Sequence, residues 1–194
     1  MFANTITTTE IEQLAKVEYS GDIKVIESLG DDYTDAIDNL NKQQVIGFDT
    51  ETKPCFVSGA SRNKTAVLQL ATKDKAYIFR LQQIGVTKEI ANLFENPKVI
   101  KVGAAVKDDI NGLKHYRDFN ANSFIDLQSI ASKFGIGEKS VKKLSAIILG
   151  RKISKSQQLS NWESYKLSDA QLLYAATDAW VCREMYIKLM GSNE

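Results

Sequence analysis

Proline, cysteine and histidine are all scarce in this chain, and long apolar runs are absent. Only two prolines interrupt 194 residues, and no low-complexity tract, internal repeat or flexible linker divides them. Two cysteines, Cys55 and Cys182, lie far apart without metal-ligand spacing, which argues against a disulfide framework and a zinc site. They read as thiols of a reducing compartment. No stretch approaches the roughly 20 apolar residues that cross a bilayer, so a membrane-spanning protein is excluded. The N-terminus lacks a basic segment followed by an apolar run and a small-residue cleavage site, and the expected location is the cytoplasm. Neither charge sign dominates: 25 Lys and Arg face 24 Asp and Glu, a net charge of +1. Composition by itself therefore does not mark a partner of nucleic acid.

What is present is ordinary globular material, 43% hydrophobic and 25% charged. A chain of this length buries one substantial core, and residues 1–194 read as a single domain with residues 1–20 as a short N-terminal extension. The charge is unevenly spread. Between Lys133 and Lys166 stand eight basic and two acidic residues, a local charge of +6 that leaves −5 for the remainder. This pattern suits a nucleic-acid binder with an acidic centre, and equally a solvated face on a pair of helices.

Thr9 and Glu12 have capping-box spacing and predict a short helix over 9–18. Tyr33, Ala36, Ile37 and Leu40 repeat at helical spacing, and the chain then enters Val45-Ile46-Gly47-Phe48, an apolar run suited to a buried strand. Further strands are expected at Ala66–Ala71, Ala76–Phe79, Val99–Val102 and Phe124–Leu127. Helical patterns separate the later ones, so the expected architecture is α/β, a mixed sheet with helices on its faces. Arg151 to Lys166 is polar and reads as a loop. Ser168 and Gln171 have capping-box spacing and open a last helix through Leu172, Leu173, Ala176 and Val181 towards Met190.

Three clusters carry chemistry. Asp49 and Glu51 end the buried strand, and its two-residue period points both carboxylates to one face. Such a pair is costly to desolvate unless a divalent cation compensates it, although a D-x-E triplet alone equally describes two solvated acids. Tyr174 and Asp178 lie four apart on the last helix and so share a face. Asp108 and Asp109 follow Gly103 at the start of a helix whose inner face carries Ile110 and Leu113. There the glycine allows close backbone approach, and Asp108 reads as the helix cap.

Together these residues resemble the 3′-5′ exonucleases of the DEDD superfamily, in the tyrosine-bearing subclass that includes RNase D and the Werner-type exonuclease domain. The matching text is Ile46-Gly47-Phe48-Asp49-Thr50-Glu51-Thr52, Val67-Leu68-Gln69-Leu70, Val102-Gly103 with Asp109 and Leu113, and Leu173-Tyr174-Ala175-Ala176-Thr177-Asp178. Ser160-Asn161-Trp162 also looks like the Werner-type members. The histidine-bearing subclass is set aside, because Leu173 stands where its histidine is required. The resemblance implies an RNase H-like fold with a mixed five-stranded central sheet. It implies metal ligation of two divalent cations, Mg²⁺ or Mn²⁺, by Asp49, Glu51, Asp109 and Asp178, with Tyr174 orienting water. Asp126 is read as a helix cap beside the ligands. The implied substrates are DNA or RNA 3′ ends, with Lys152 and Lys155 contacting the strand backbone and Trp162 either stacking or, the favoured role, packing. A nucleic-acid-binding module with a degenerate exonuclease fold is the alternative; it would have lost one of the acids, and none is lost here.

Overall fold

The computed structural model of the chain describes residues 1–56 and 63–191. Its elements are α1 (Thr8–Gln13), β1 (Asp22–Ile26), α2 (Asp31–Asn41), β2 (Val45–Thr52), β3 (Thr65–Ala71), β4 (Lys75–Arg80), α3 (Leu81–Ile84), α4 (Lys88–Glu95), β5 (Ile100–Gly103), α5 (Val106–Lys114), β6 (Phe124–Asp126), α6 (Leu127–Lys133), α7 (Val141–Leu149) and α8 (Asp169–Gly191). The strands form one mixed sheet in the order β1-β4-β3-β2-β5-β6. The pairs β2–β3 and β3–β4 are antiparallel, while β1–β4, β2–β5 and β5–β6 are parallel.

Alternation along the strands divides the core into two layers. Ile46, Phe48, Leu68, Leu70 and Phe79 face the helices α2 to α5. On α2 the inward residues are Tyr33, Ala36, Ile37 and Leu40, as the helical spacing predicts. Val67, Ala71, Ala76 and Ile78 face the other way, against Ala175, Ala176 and Ala179 of α8. Val102 and the C-terminal half of α8 continue this second layer with α6 and α7. Helix α8 opens as its sequence requires: Ser168 Oγ accepts from Gln171 N, and Gln171 Oε1 accepts from Ser168 N.

The sheet has six strands rather than the expected five. The additional strand, β1, is at the edge and only its last residue, Ile26, is buried. It aligns Ile23 with Ala76 and Val25 with Ile78. A half-exposed alternation this short gives no buried run to detect, and only the partner strand identifies it. The first capping box also falls elsewhere. Thr7 and Glu10 form it, with Thr7 N donating to Glu10 Oε2 at 2.8 Å, and the helix ends at Gln13. This register turns Ile11 into the core and releases Glu12 to pair with Lys142 and Lys152.

Residues 1–20 are stitched to the body at several points. Val17 N donates to Lys152 O at 2.9 Å, Lys152 N donates to Ala15 O at 3.1 Å, and Tyr19 N donates to Thr177 Oγ1 at 3.1 Å. This segment thus holds both the loop before α8 and α8 itself.

Lys101, on β5 between β2 and the edge strand β6, is fully buried and caps the end of α4: its Nζ donates to Leu93 O at 3.3 Å and Asn96 O at 2.9 Å. A cation suits the negative end of a helix, but desolvation pulls its pKa from 10.5 down to about 8. The folded chain therefore binds fewer protons than the unfolded one between these two values, and stability attributable to Lys101 rises with pH across that window. Thermal melts of wild type and Lys101→Met should diverge in favour of the wild type by about 1–3 kcal/mol as pH rises from near 8 towards 10. A constant difference would show that the ammonium stays charged in the fold.

Candidate active site

The site is assembled where α8 crosses β2. Gly47, Asp49 and Glu51 share one face of β2, and Gly47 has no side chain to keep the helix away. A Cβ there would stand 1.9 Å from Ala179 O. This close approach sets Asp178 against the strand acids. Carboxylate oxygens of Asp49, Glu51 and Asp178 all lie within 4.8 Å of one another, and Asp178 is only 7% exposed. Asp178 Oδ1 is buried with no hydrogen-bond partner.

Asp109 arrives from the opposite layer. The turn after β5 passes so near β2 that a Cβ on Gly103 would lie 2.7 Å from Phe48 O. The N-cap of α5 is Ala105 in a left-handed conformation (φ 58°), without a side-chain cap bond. Asp108 is consequently not the cap expected from sequence: the helix starts at Val106, which puts Asp108 within its first turn, exposed to solvent. Asp126 does cap α6 as expected, accepting from Gln128 N at 2.9 Å, and the same oxygen accepts from Ala105 N at 3.2 Å. One carboxylate thus ties the start of α5 to the start of α6. Asp109 itself accepts from Thr50 Oγ1 at 2.5 Å.

Tyr174 lies one turn before Asp178, almost buried, its ring against Trp162 at 5.9 Å between centroids. Trp162 has no exposed surface. The suggestion that it contacts nucleic acid is therefore corrected: a ring enclosed beneath Tyr174 cannot stack on a base, and it packs instead. Lys152 Nζ donates to Glu12 O at 2.6 Å and Glu12 Oε2 at 3.4 Å, which ties the loop before α8 to the N-terminal segment. Lys155 is exposed and near enough to Glu51 and Asp178 to hold both pKa values down. Two further residues were not singled out as functional by sequence reasoning. Thr50 stands between the two strand acids and was given no role of its own. Gln69 stands directly opposite Asp49 on β3, fully buried with both amide atoms unpartnered. A glutamine inside the apolar run of β3 is the sequence signal that could have found it.

The electrostatics are those of crowded acids only partly offset by Lys155. Burial first, then repulsion from Glu51, Asp178 and Asp109, raises the Asp49 pKa well above 3.8. Burial and repulsion from Asp178 and Asp109 push Glu51 from 4.5 up to about 9. Asp109 and Asp178 both rise to about 6 through burial, opposed by the Thr50 and Tyr174 hydroxyls respectively. Burial and the neighbouring acids raise Tyr174 far above 10. An all-oxygen donor set with an unsatisfied carboxylate oxygen fits a hard divalent cation. Beside it an open groove of about 700 Å³ is lined by Thr50, Lys53, Asn63, Lys64, Asp109 and His115 among others.

A mixed sheet carrying two acids on its central strand, with a third acid and a tyrosine on the crossing helix, defines an exonuclease domain of the RNase H-like class. Comparison narrows the class: the 3′-5′ exonuclease family profile matches residues 28–192, and the chain belongs to that family. It is 33% identical over 156 residues to the mouse bifunctional 3′-5′ exonuclease/ATP-dependent helicase WRN, an alignment covering 77% of this chain and 11% of that protein. The crystal structure of the Aedes aegypti Nibbler EXO domain superposes with a TM-score of 0.76 at 26% identity, over 90% of this chain and 91% of that one. The crystal structure of Trypanosoma brucei RNase D in complex with RNA U12 superposes with a TM-score of 0.76 at 15% identity, covering 97% of this chain and 67% of that one. The chain spans between about a tenth and a half of the length of curated relatives it matches.

Acids whose folded pKa values are raised bind extra protons in the fold, so the metal-free protein loses stability as pH climbs from near 4 through about 9. Melting temperature without divalent cations should fall between about pH 5.5 and 8.5, and millimolar Mg²⁺ should restore it more at the higher value. Glu51→Gln should flatten the metal-free decline. Equal Mg²⁺ stabilisation at both values would contradict a cluster that must lose protons to bind.

Proposed function

We propose that the domain removes nucleotides from the 3′ end of a nucleic-acid strand by hydrolysis with two divalent cations, Mg²⁺ or Mn²⁺, releasing nucleoside 5′-monophosphates. The observation that carries this reading is the convergence of Asp49, Glu51 and Asp178 within 4.8 Å, with Asp109 bordering the adjoining groove. Either protons or cationic charge relieve such a cluster, and a divalent cation does so with the acids ionised; the acids are those that membership of the exonuclease family leads one to expect. When bound, a pair of cations about 4 Å apart supplies a hydroxide nucleophile and neutralises charge on the phosphate and the departing 3′ oxygen.

The residues divide that work. Asp49, central among the acids, would serve both cations, Glu51 and Asp178 would help hold one of them, and Asp109 would help hold the other. Tyr174 is held by Trp162 with its hydroxyl towards Asp178, and a phenol, whose ordinary pKa is about 10, is a poor base at neutral pH; its role is to orient the water through a hydrogen bond. The groove beside Asp109 has room for the end of a strand, with Lys53 and Lys64 at its walls, while Lys155, close to Glu51 and Asp178, contributes positive charge for the strand backbone. RNA in the complex of the trypanosomal RNase D is consistent with a nucleic-acid substrate here. Backbone contacts of this kind carry little sequence information and weaken with salt.

Digestion of 5′-labelled DNA and RNA oligonucleotides should give a ladder shortening from the 3′ end in Mg²⁺ or Mn²⁺ and none in excess chelator, and Asp49→Ala should abolish it. Turnover that persists in chelator would remove the two-cation reading.

Asp109→Asn should lower the single-turnover rate by on the order of a hundredfold or more, whereas Asp108→Asn, exposed on α5, should cost a few-fold at most. Tyr174→Phe should slow hydrolysis strongly with Mn²⁺ affinity nearly unchanged. A larger loss for Asp108→Asn, or a matching loss of metal affinity for Tyr174→Phe, would overturn the assigned roles.

A further inference from the structure

Asp109 differs from the other three acids in how it is held. It is not among those whose carboxylate oxygens lie within 4.8 Å of one another. Its Oδ1 is engaged by Thr50 Oγ1 at 2.5 Å, across from β2 to α5. The alternation that sends Asp49 and Glu51 towards α8 sends Thr50 towards α5, so the middle residue of Asp49-Thr50-Glu51 reaches the fourth acid from behind. Helix α5 fixes the backbone of Asp109 in its first turn, and Thr50 is the side chain of β2 that holds its carboxylate.

We propose that Thr50 is the positioning residue for Asp109, holding one carboxylate oxygen so that the other is presented, singly, to the second cation. The strand that supplies two ligands from one face then positions Asp109, the fourth acid, from its other face. This rests on the two-cation reading above. A threonine suits the task for two reasons. Its branched side chain fits the strand with few rotamers, and its hydroxyl donates to an ionised carboxylate without adding charge. A hydrogen bond of this kind behind a metal ligand is worth about 10–100-fold in metal affinity.

The test is Mn²⁺ titration of the full chain, with free Mn²⁺ read by electron paramagnetic resonance, for wild type, Thr50→Val and Thr50→Ser. Wild type should take up two Mn²⁺ with different affinities. Thr50→Val should weaken the weaker site by about tenfold or more and leave the tighter one within about twofold, and Thr50→Ser should restore it to within about threefold. Thr50→Ala, which cannot crowd α5, should repeat the loss seen with valine. Unchanged affinity at both sites, equal weakening of both, or failure of serine to rescue would each overturn the assignment. Wild type that binds fewer than two Mn²⁺ would overturn the two-cation reading itself, and this proposal with it.

Discussion

The contact on which the site depends is the approach of the Ala179 backbone to Gly47. Helix α8 carries both Tyr174 and Asp178, and it reaches β2 only because Gly47 offers no side chain and Ala175, Ala176 and Ala179 offer very little. Close packing of this kind transmits displacement instead of absorbing it. A methyl group at position 47 would force the helix back, and Asp178 would leave the neighbourhood of Asp49 and Glu51. The ligand set is thus a consequence of a helix-to-sheet distance, and that distance is a consequence of small side chains.

The same closeness creates the electrostatic problem from which the chemistry follows. Carboxylates crowded at the edge of an apolar core are costly to ionise together, and their raised pKa values express that cost. The surrounding layers offset it. Phe48 is locked edge-on against Phe94 and Phe124 behind the acids, and Trp162 braces Tyr174 in front of them. Rigidity of this sort keeps the acids from relaxing apart, so that cation binding is the available relief. The basic stretch before α8 takes a smaller part than its charge suggests. Lys142 and Lys152 are occupied by Glu12, Lys143 by Glu138, and among its lysines it is Lys155 whose field reaches Glu51 and Asp178.

The N-terminal segment, which had no legible purpose in the sequence, turns out to belong to this bracing. Its backbone pairs with Lys152, and Tyr19 N bonds Thr177, the residue next to Asp178. It joins the polar loop to the helix that carries the site, with Glu12 reaching Lys142 and Lys152.

Local pattern alone was enough for β2 to β6, for α2 and α8, for the pairing of Asp49 with Glu51 and of Tyr174 with Asp178, and for the choice of Asp109 over Asp108 as the inward acid. Each of these follows from a period of two or of 3.6 residues acting over a few neighbours. Edge strand β1, the true first capping box, the burial of Trp162 and the diversion of Lys152 to Glu12 were not legible. In each case two equally acceptable local readings exist, and a contact from a distant part of the chain selects one. The sequence by itself determined which acids the protein owns and which way each points along its own strand or helix. Only the tertiary structure decided that three of them converge within one cation's reach while Thr50 holds the fourth from behind, because convergence depends on how closely α8 and α5 approach β2, and that is set by packing between residues far apart in the chain.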